Sequence, residues 1–212
     1  MRNQNYPNVE GDRRLSAAAT ERNREALLAV LAPLLDKPSR LLELASGTGE
    51  HAVWLAERLP DVTWLPSDPE PRHRASIAAW TAHAGLANVA PPRDIDVRTD
   101  DWLLAPDELP LQAMFNVNML HIAPWTVCPG LMAGAGRYLC SGGFLLIYGP
   151  FSRAGRHTAE SNARFDAGLR RQNPDWGVRA LEDVEAEAQK AGLMLEHAVD
   201  MPANNLSLIF RK

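Results

Sequence analysis

The sequence has few cysteines and no long apolar run. Cys128 and Cys140 are its only cysteines, and no cluster of histidines and cysteines surrounds them. A disulfide framework or a metal site is therefore not expected. No apolar stretch approaches the roughly 20 residues that span a bilayer, and the polar residues 1–14 lack the apolar core of a secretory signal. We expect a cytoplasmic protein without membrane contact.

The sequence also lacks a strong excess of one charge. Its formal net charge is −4, with 46% hydrophobic and 23% charged residues. This balance is typical of a globular chain and does not favour binding to nucleic acid. A length of 212 residues suits one domain over residues 1–212. Residues 1–15 form a polar arm, either a lid over a site or a disordered tail. No pattern indicates an oligomeric state.

Short apolar runs alternate with helical patterns along most of the chain. The runs predict five strands, at residues 40–45, 62–65, within 88–97, 112–117 and 144–148. Helices are predicted from Ser16, as N-cap, to a bend at Pro33, and at 51–59, 74–84 and 124–139. This alternation predicts an α/β fold whose parallel sheet has helices on both faces.

The last third of the sequence breaks this alternation. Residues 149–176 are a long connection, interpreted mainly as a solvated lid or a packing helix; the alternative is that arginines such as Arg153 and Arg156 clamp an acidic acceptor. A helix at 181–191, stopped by Gly192, precedes two strands at 193–199 and 206–210. The link between these strands is too short for a crossover helix, so the last strand should run antiparallel. We therefore predict a seven-stranded, mostly parallel sheet with a C-terminal antiparallel hairpin.

The turn after the first strand is the most informative motif. Gly47, Gly49 and Ala52 fit the pattern G-x-G-x-x-A between a predicted strand and a predicted helix. Glycines allow a tight turn and the close approach of a ligand, and open α/β sheets bind ligands at the carboxyl ends of their strands. The alternative is a βα turn without a ligand, but two glycines in three residues are more than a simple turn requires.

Two aspartates follow the next strands. Asp68 comes 19 residues after Gly49, at the end of the second strand, where a carboxylate can accept hydrogen bonds from ribose hydroxyls. Its alternative role is a helix N-cap ahead of Pro69. Asp96 ends the third strand and is either an acceptor for an adenine amino group or a solvated loop acid.

Polar residues also end the fourth strand, in the segment Asn118-Met119-Leu120-His121. Asn118 and Met119 are candidates to line a cofactor. His121 is a candidate general base, because the unperturbed pKa of histidine lies near neutrality. The alternative for His121 is a hydrogen-bonded packing residue.

These motifs together resemble the Rossmann-like class I S-adenosylmethionine (SAM)-dependent methyltransferases, which share the terminal hairpin. A narrower resemblance, to domain of unknown function 938 (methyltransferase-like protein 26), covers nearly the whole chain. The segments that carry it are SAAATERN at 16–23, LELASGTGEH at 42–51, PSDP at 66–69, NMLHI at 118–122, YGP at 148–150 and MPANNLSL at 201–208.

The resemblance implies SAM as cofactor. By position it implies that the methionine part of SAM is wrapped by Glu43, Ala45, Ser46, Gly47 and Gly49. Asp68 would hold the ribose, Asp96 the adenine edge, and Asn118 and Met119 the region beside the sulfonium. Independently of the resemblance, segments expected above the strand ends supply the candidates for contacts with the acceptor: Asn23, Tyr148, Arg153, His157 and Asn204. We therefore predict a SAM-dependent methyltransferase for an unidentified small molecule; the alternatives are an NAD-dependent oxidoreductase and a non-catalytic SAM-binding protein.

Overall fold

The computed structural model describes residues 6–9, 12–35 and 38–212. Part of the predicted N-terminal arm, residues 1–5, 10 and 11, lies outside the described residues. The chain divides into two compact units. The first comprises residues up to 96 together with 105–115, and the second comprises residues 97–104 and 116–212.

The helices and strands follow the alternating order that the sequence predicts as far as the fifth predicted strand, except that the third predicted strand is missing. The first unit contains helices α1 (Ala18–Leu31), α2 (Glu50–Arg58) and α3 (Pro71–Ala84), strands β1 (Ser39–Leu44) and β2 (Val62–Pro66), and most of β3 (Leu111–Val117). The second contains helices α4 (Val127–Tyr138), α5 (Glu160–Gln172) and α6 (Leu181–Lys190), and strands β4 (Leu139–Gly149), β5 (Phe151–Arg153), β6 (Arg156–His157), β7 (Arg179–Ala180), β8 (Met194–Met201) and β9 (Asn205–Arg211).

The main sheet has six strands in the order β2-β1-β3-β4-β9-β8. β1 and β2 pair in parallel, with Leu41 opposite Trp64. β9 runs antiparallel to both β4 and β8, so the predicted C-terminal hairpin is confirmed. The α/β fold class is therefore confirmed, with a mostly parallel sheet that ends in an antiparallel pair.

The strand count differs from the prediction, because no regular strand forms within residues 88–97. This stretch runs beside β2 and makes two isolated parallel bridges, Val89 to Trp64 and Arg93 to Ser67. Pro91 and Pro92 lie between the bridges. Proline has no N–H to donate to a ladder, which explains why the third predicted strand is interrupted and the sheet has six strands and not seven.

The sequence predicts Ser16 as the N-cap of the first helix, and this prediction is wrong. The N-cap position is Ala17, whose side chain cannot accept a bond. The acceptor comes instead from α2: the carboxylate of Glu50 accepts bonds from the Ala17 N–H at 2.7 Å and from the Ser16 hydroxyl at 3.0 Å. The helix ends at Leu31, just before Pro33, as expected.

The long connection after β4 forms a second, three-stranded sheet and one helix. β5 pairs antiparallel with β6 and parallel with β7, and α5 lies between β6 and β7 in the chain. A tight turn with positive φ at Ala154 and Gly155 joins β5 to β6. The lid interpretation stays a prediction.

Each unit has its own apolar core. In the first, Trp64 is fully buried and meets Phe115 edge to face, with 6.0 Å between ring centroids. In the second, Phe151 and Phe210 are among the largest fully buried side chains. None of the helices formed by the described residues is long and apolar enough to cross a membrane.

Candidate functional site

The backbone after β1 takes the left-handed conformations that a tight turn requires. φ is +55° at Ala45, +58° at Gly47 and +88° at Gly49. The Ser46 N–H donates to the carbonyl of Ser67 at 2.8 Å, which ties the turn to the end of β2. Positive φ at a non-glycine residue such as Ala45 costs about 1–3 kcal/mol and is concentrated at functional sites.

The two glycines of the turn serve different purposes. A Cβ on Gly49 would lie 2.7 Å from the Cα of Ile77 in α3, so this glycine is required by helix packing. A Cβ on Gly47 would meet only the Tyr6 hydroxyl, at 4.0 Å, among the described residues. A ligand can therefore approach the backbone closely at Gly47. The predicted ligand contact of Gly49 stays a prediction.

Asp68 is fully buried at the end of β2 and has partners within the protein. Its Oδ2 accepts the Gly47 N–H at 3.0 Å, and its Oδ1 accepts the Glu70 N–H at 2.9 Å and lies 3.1 Å from His73 Nδ1. Asp68 is not the helix N-cap considered above, because α3 begins at Pro71 with Glu70 as its N-cap.

Glu43 is a buried carboxyl group beside the same turn. Its Oε2 accepts the indole N–H of Trp64 at 2.8 Å. Burial raises the pKa of Glu43 to about 7, although the bonds from Trp64 and Ser46 oppose this shift. The group is therefore partly protonated at neutral pH, which the sequence did not indicate.

Asn23 faces α2 and pairs with a histidine. His51 Nε2 lies 2.7 Å from Asn23 Oδ1, and both side chains are buried. Burial lowers the pKa of His51 to about 4, so the ring is neutral and donates to the amide oxygen. The structure shows this packing role for Asn23, and its contact with an acceptor stays a prediction.

In the second unit, Asn118 begins a 3-10 turn, Met119–His121. φ at Asn118 is +60°, and its N–H donates to the Tyr148 carbonyl at 2.8 Å. His121 is fully buried and packs edge to face on Phe151, with 5.0 Å between ring centroids. Neither ring nitrogen of His121 has a hydrogen-bond partner among the described residues.

Burial also sets the charge of His121. It lowers the pKa of the imidazole to about 3, with a smaller contribution in the same direction from Arg179. The ring is therefore neutral at physiological pH. A Cβ on Gly149 would lie 2.2 Å from His121 Nε2 and 3.2 Å from Asn118 Oδ1, so only glycine fits at this position.

A distant segment holds this turn in place. Arg179 donates from Nε to the Leu120 carbonyl at 2.9 Å and from Nη2 to the Ala123 carbonyl at 2.7 Å. The Gly177 N–H donates to the His121 carbonyl at 3.0 Å. Sequence reasoning missed Arg179, because neither its position nor its neighbours in the sequence indicate these partners.

The remaining acceptor candidates are less uniform. Tyr148 is buried, and its hydroxyl accepts a bond from Asn205 at 2.9 Å. The Asn204 amide donates to Ser161 in α5 at 3.1 Å, and its backbone has φ +60°. Arg153 and His157 are exposed on the β5–β6 hairpin. Asp96 is half-buried in the first unit.

Within the described residues, no group of three or more histidines, cysteines and acids is arranged to hold a metal ion. Cys128 is buried, Cys140 is half-buried, and both are free thiols. Burial raises the pKa of Cys128 to about 12, so its thiol is an unreactive packing group at neutral pH.

Comparison with known families shows where the chain belongs. Residues 14–212 match the model of a family described as a protein of unknown function, DUF938. The chain belongs to the DUF938 family. Its match includes the glycine turn, Asp68, the Asn118 turn and the terminal hairpin, and it leaves out most of the polar arm.

Several solved structures that are similar to this DUF938 protein are methyltransferases. The SAM-dependent methyltransferase SibL shares 20% identity at a TM-score of 0.75, over 92% of this chain and 56% of that one. An O-methyltransferase family protein from Burkholderia thailandensis shares 16% identity at a TM-score of 0.77, over 92% of this chain and 57% of that one. Human N-acetylserotonin methyltransferase, in complex with SAM, shares 16% identity at a TM-score of 0.70, over 92% of this chain and 52% of that one. The chain thus spans just over half the length of these proteins, and the likeness shows the methyltransferase fold.

Proposed function

We propose that this DUF938 protein is a SAM-dependent methyltransferase that acts on a small-molecule acceptor. The main support is the turn after β1, where Gly47 is open to close approach and its N–H is bonded to the buried carboxylate of Asp68. An open backbone beside an acid at the next strand end suits an adenosyl group. When bound, SAM supplies a methyl group for in-line displacement from its sulfonium.

In this proposal the protein's residues bind and orient. Asp68 accepts one ribose hydroxyl on Oδ2, because its other oxygen is occupied by Glu70 and His73. Glu43 and Ser46 hold the turn in shape from below, through the bonds at the end of β2. Contacts of Ala45, Gly49, Asp96, Asn118 and Met119 with the cofactor stay predictions. Positioning of this kind supplies much of the catalysis in group transfer.

The proposed role of His121 changes from general base to positioning group. A general base works best when its pKa lies near the working pH. A ring with a pKa of about 3 holds a proton poorly, so His121 is unsuited to deprotonating an alcohol. We therefore favour an acceptor that does not need His121 to remove a proton, and we propose that the neutral imidazole helps to position it. The name of the human neighbour, N-acetylserotonin methyltransferase, supports a small-molecule acceptor; a cytoplasmic location stays a prediction.

Two rival functions use the same turn. An NAD-dependent oxidoreductase would also need Gly47 and Asp68, but the antiparallel β8–β9 pair and the methyltransferase neighbours favour SAM. A non-catalytic SAM-binding protein has the same cofactor contacts, and only a turnover assay separates it from an enzyme.

The test is calorimetry of the full chain with SAM, its demethylated product S-adenosylhomocysteine, and NAD. We expect heat with the two adenosyl ligands and none with NAD. Asp68→Asn should weaken SAM about tenfold, through loss of a charge-assisted bond worth about 1.5 kcal/mol. Asp94→Asn is the matched control, because Asp94 is an exposed acid paired with Arg74. Absence of heat with SAM would overturn the proposal. If heat is seen, a methylation screen of small metabolites would then identify the acceptor.

A further inference from the structure

We infer that His73 is a positioning residue of the proposed cofactor site, whose ring holds the Asp68 carboxylate in the orientation that presents Oδ2 to a ribose hydroxyl. This inference rests on the proposed function, because the ribose is that of bound SAM. It gives a role to a residue outside the sequence motifs that predict the site. In this role His73 acts only through Asp68 and does not itself contact the ligand.

The start of α3 brings the His73 ring back to the end of β2. α3 begins at Pro71, so His73 is the third residue of its first turn. A side chain at this position can reach back over the helix N-terminus, as the acidic residue of a capping box does. The ring reaches Asp68, five residues earlier, and its Nδ1 lies 3.1 Å from Oδ1. Both side chains are buried, so water competes little for this contact.

The His73 ring is one of three hydrogen-bond donors that hold the Asp68 carboxylate. A carboxylate oxygen only accepts, so Nδ1 of His73 carries the hydrogen and donates to Oδ1. Oδ1 also accepts the Glu70 N–H at 2.9 Å, and Oδ2 accepts the Gly47 N–H at 3.0 Å. The torsion that turns a carboxylate about its Cβ–Cγ bond is soft, so donors on both oxygens are needed to fix it. Of these three donors, His73 alone is a side chain and can be removed by substitution.

Other residues hold the backbone of Asp68. Its N–H donates to the Arg93 carbonyl at 3.0 Å, and its carbonyl accepts a bond from Arg74 Nη1 at 2.8 Å. Arg74 is itself paired with Asp94 at 3.0 Å. Loss of the His73 contact therefore frees the carboxylate but leaves the backbone of Asp68 in place. A freer carboxylate binds a hydroxyl less well, because its orientation must then be fixed when the ligand binds.

The His73 ring also has a packing contact, which the test must separate from the hydrogen bond. It meets the Tyr6 ring with 5.6 Å between centroids. Leucine and asparagine have the same branched shape beyond Cβ, but only asparagine carries an N–H, as many bonds from Cα as Nδ1 of histidine. His73→Leu and His73→Asn are therefore a matched pair that differs in the donor.

The test is calorimetry with SAM on these two variants and on the wild type. We expect His73→Leu to weaken SAM about three- to tenfold and His73→Asn to recover most of this loss. In a chain that already carries Asp68→Ala, His73→Leu should cause no further loss, because no carboxylate is left to position. His83→Leu is the control, since His83 is an exposed residue of the same helix, and it should bind SAM like the wild type. Thermal unfolding without ligand checks that each variant is folded.

The outcomes separate this inference from the proposed function. If the wild type binds SAM and His73→Leu binds it equally well, the inference is wrong and the proposed function stands. Equal losses in His73→Leu and His73→Asn would assign the effect to ring packing and overturn the inference. An undiminished effect of His73→Leu in the Asp68→Ala chain would show that His73 does not act through Asp68. If the wild type binds no SAM, both the inference and the proposed function are overturned.

Discussion

Replacing each glycine of the turn by alanine should separate ligand binding from folding. In Gly47→Ala the new methyl group meets only the Tyr6 hydroxyl at 4.0 Å, among the described residues. The cost is therefore mainly the left-handed backbone, with φ +58°, which is about 1–2 kcal/mol for a residue with a Cβ. The same methyl group occupies the space over the turn, so we expect SAM affinity to fall at least about tenfold.

Gly49→Ala should show the opposite pattern. Its Cβ would lie 2.7 Å from the backbone of Ile77, in addition to the strain at φ +88°. Overpacking costs about 1–3 kcal/mol, so with the backbone term we expect the free energy of unfolding to fall by about 2–5 kcal/mol. That is a large part of the roughly 5–15 kcal/mol that stabilises a domain.

Urea unfolding and SAM calorimetry on both variants measure the two effects. The expected result is a small stability loss with poor binding for Gly47→Ala, and a large stability loss for Gly49→Ala. Wild-type SAM affinity in Gly47→Ala would show that no ligand lies over the turn. Equal urea midpoints in the two variants would refute the packing role of Gly49.

Three further changes test the buried groups. The raised pKa of Glu43 means that the folded state holds its proton more tightly, so this group's contribution to stability is lost as pH rises from about 4.5 to about 7. Glu43→Gln should therefore flatten the pH dependence of the urea midpoint over this range, and a pH dependence like that of the wild type would contradict the shift. The lowered pKa of His121 acts in the opposite sense, because the wild type loses stability as pH falls below about 6.5. His121→Gln should remove this loss; equal slopes of urea midpoint against pH in wild type and variant would exclude a buried neutral ring. Arg179→Met should destabilise the chain by about 2–4 kcal/mol, because the Leu120 and Ala123 carbonyls lose a charged donor, and Arg179→Lys should be intermediate. A urea midpoint of Arg179→Met close to that of the wild type would show that the turn at Met119–His121 is stable without Arg179.

Local chemistry explains what could be predicted from the sequence. The turn after β1 was predictable, because glycine readily adopts the left-handed conformations that a tight turn between a strand and a helix requires. The antiparallel end of the sheet was predictable, because the link between β8 and β9 is too short to cross over. The interrupted seventh strand had a visible cause in Pro91 and Pro92, although its position was predicted as a strand.

Partners that are distant in the chain explain the rest. The start of α1 depends on Glu50, 33 residues away, so the pattern around Ser16 was misleading. The turn at His121 depends on Arg179, more than 50 residues away. The role that we propose for His121 also differs from the predicted general base for a reason of this kind, because its pKa is set by burial that no local pattern reveals.

The proline pair beside β2 has a consequence for solubility. The stretch from Val89 to Arg93 covers the outer side of β2, where an exposed strand would present free N–H and carbonyl groups to other molecules. A strand of a neighbouring molecule cannot continue the ladder past Pro91 and Pro92, since neither residue has an N–H to offer. Replacing both prolines with valine should therefore make the protein more prone to aggregate at high concentration, even if it leaves the fold intact.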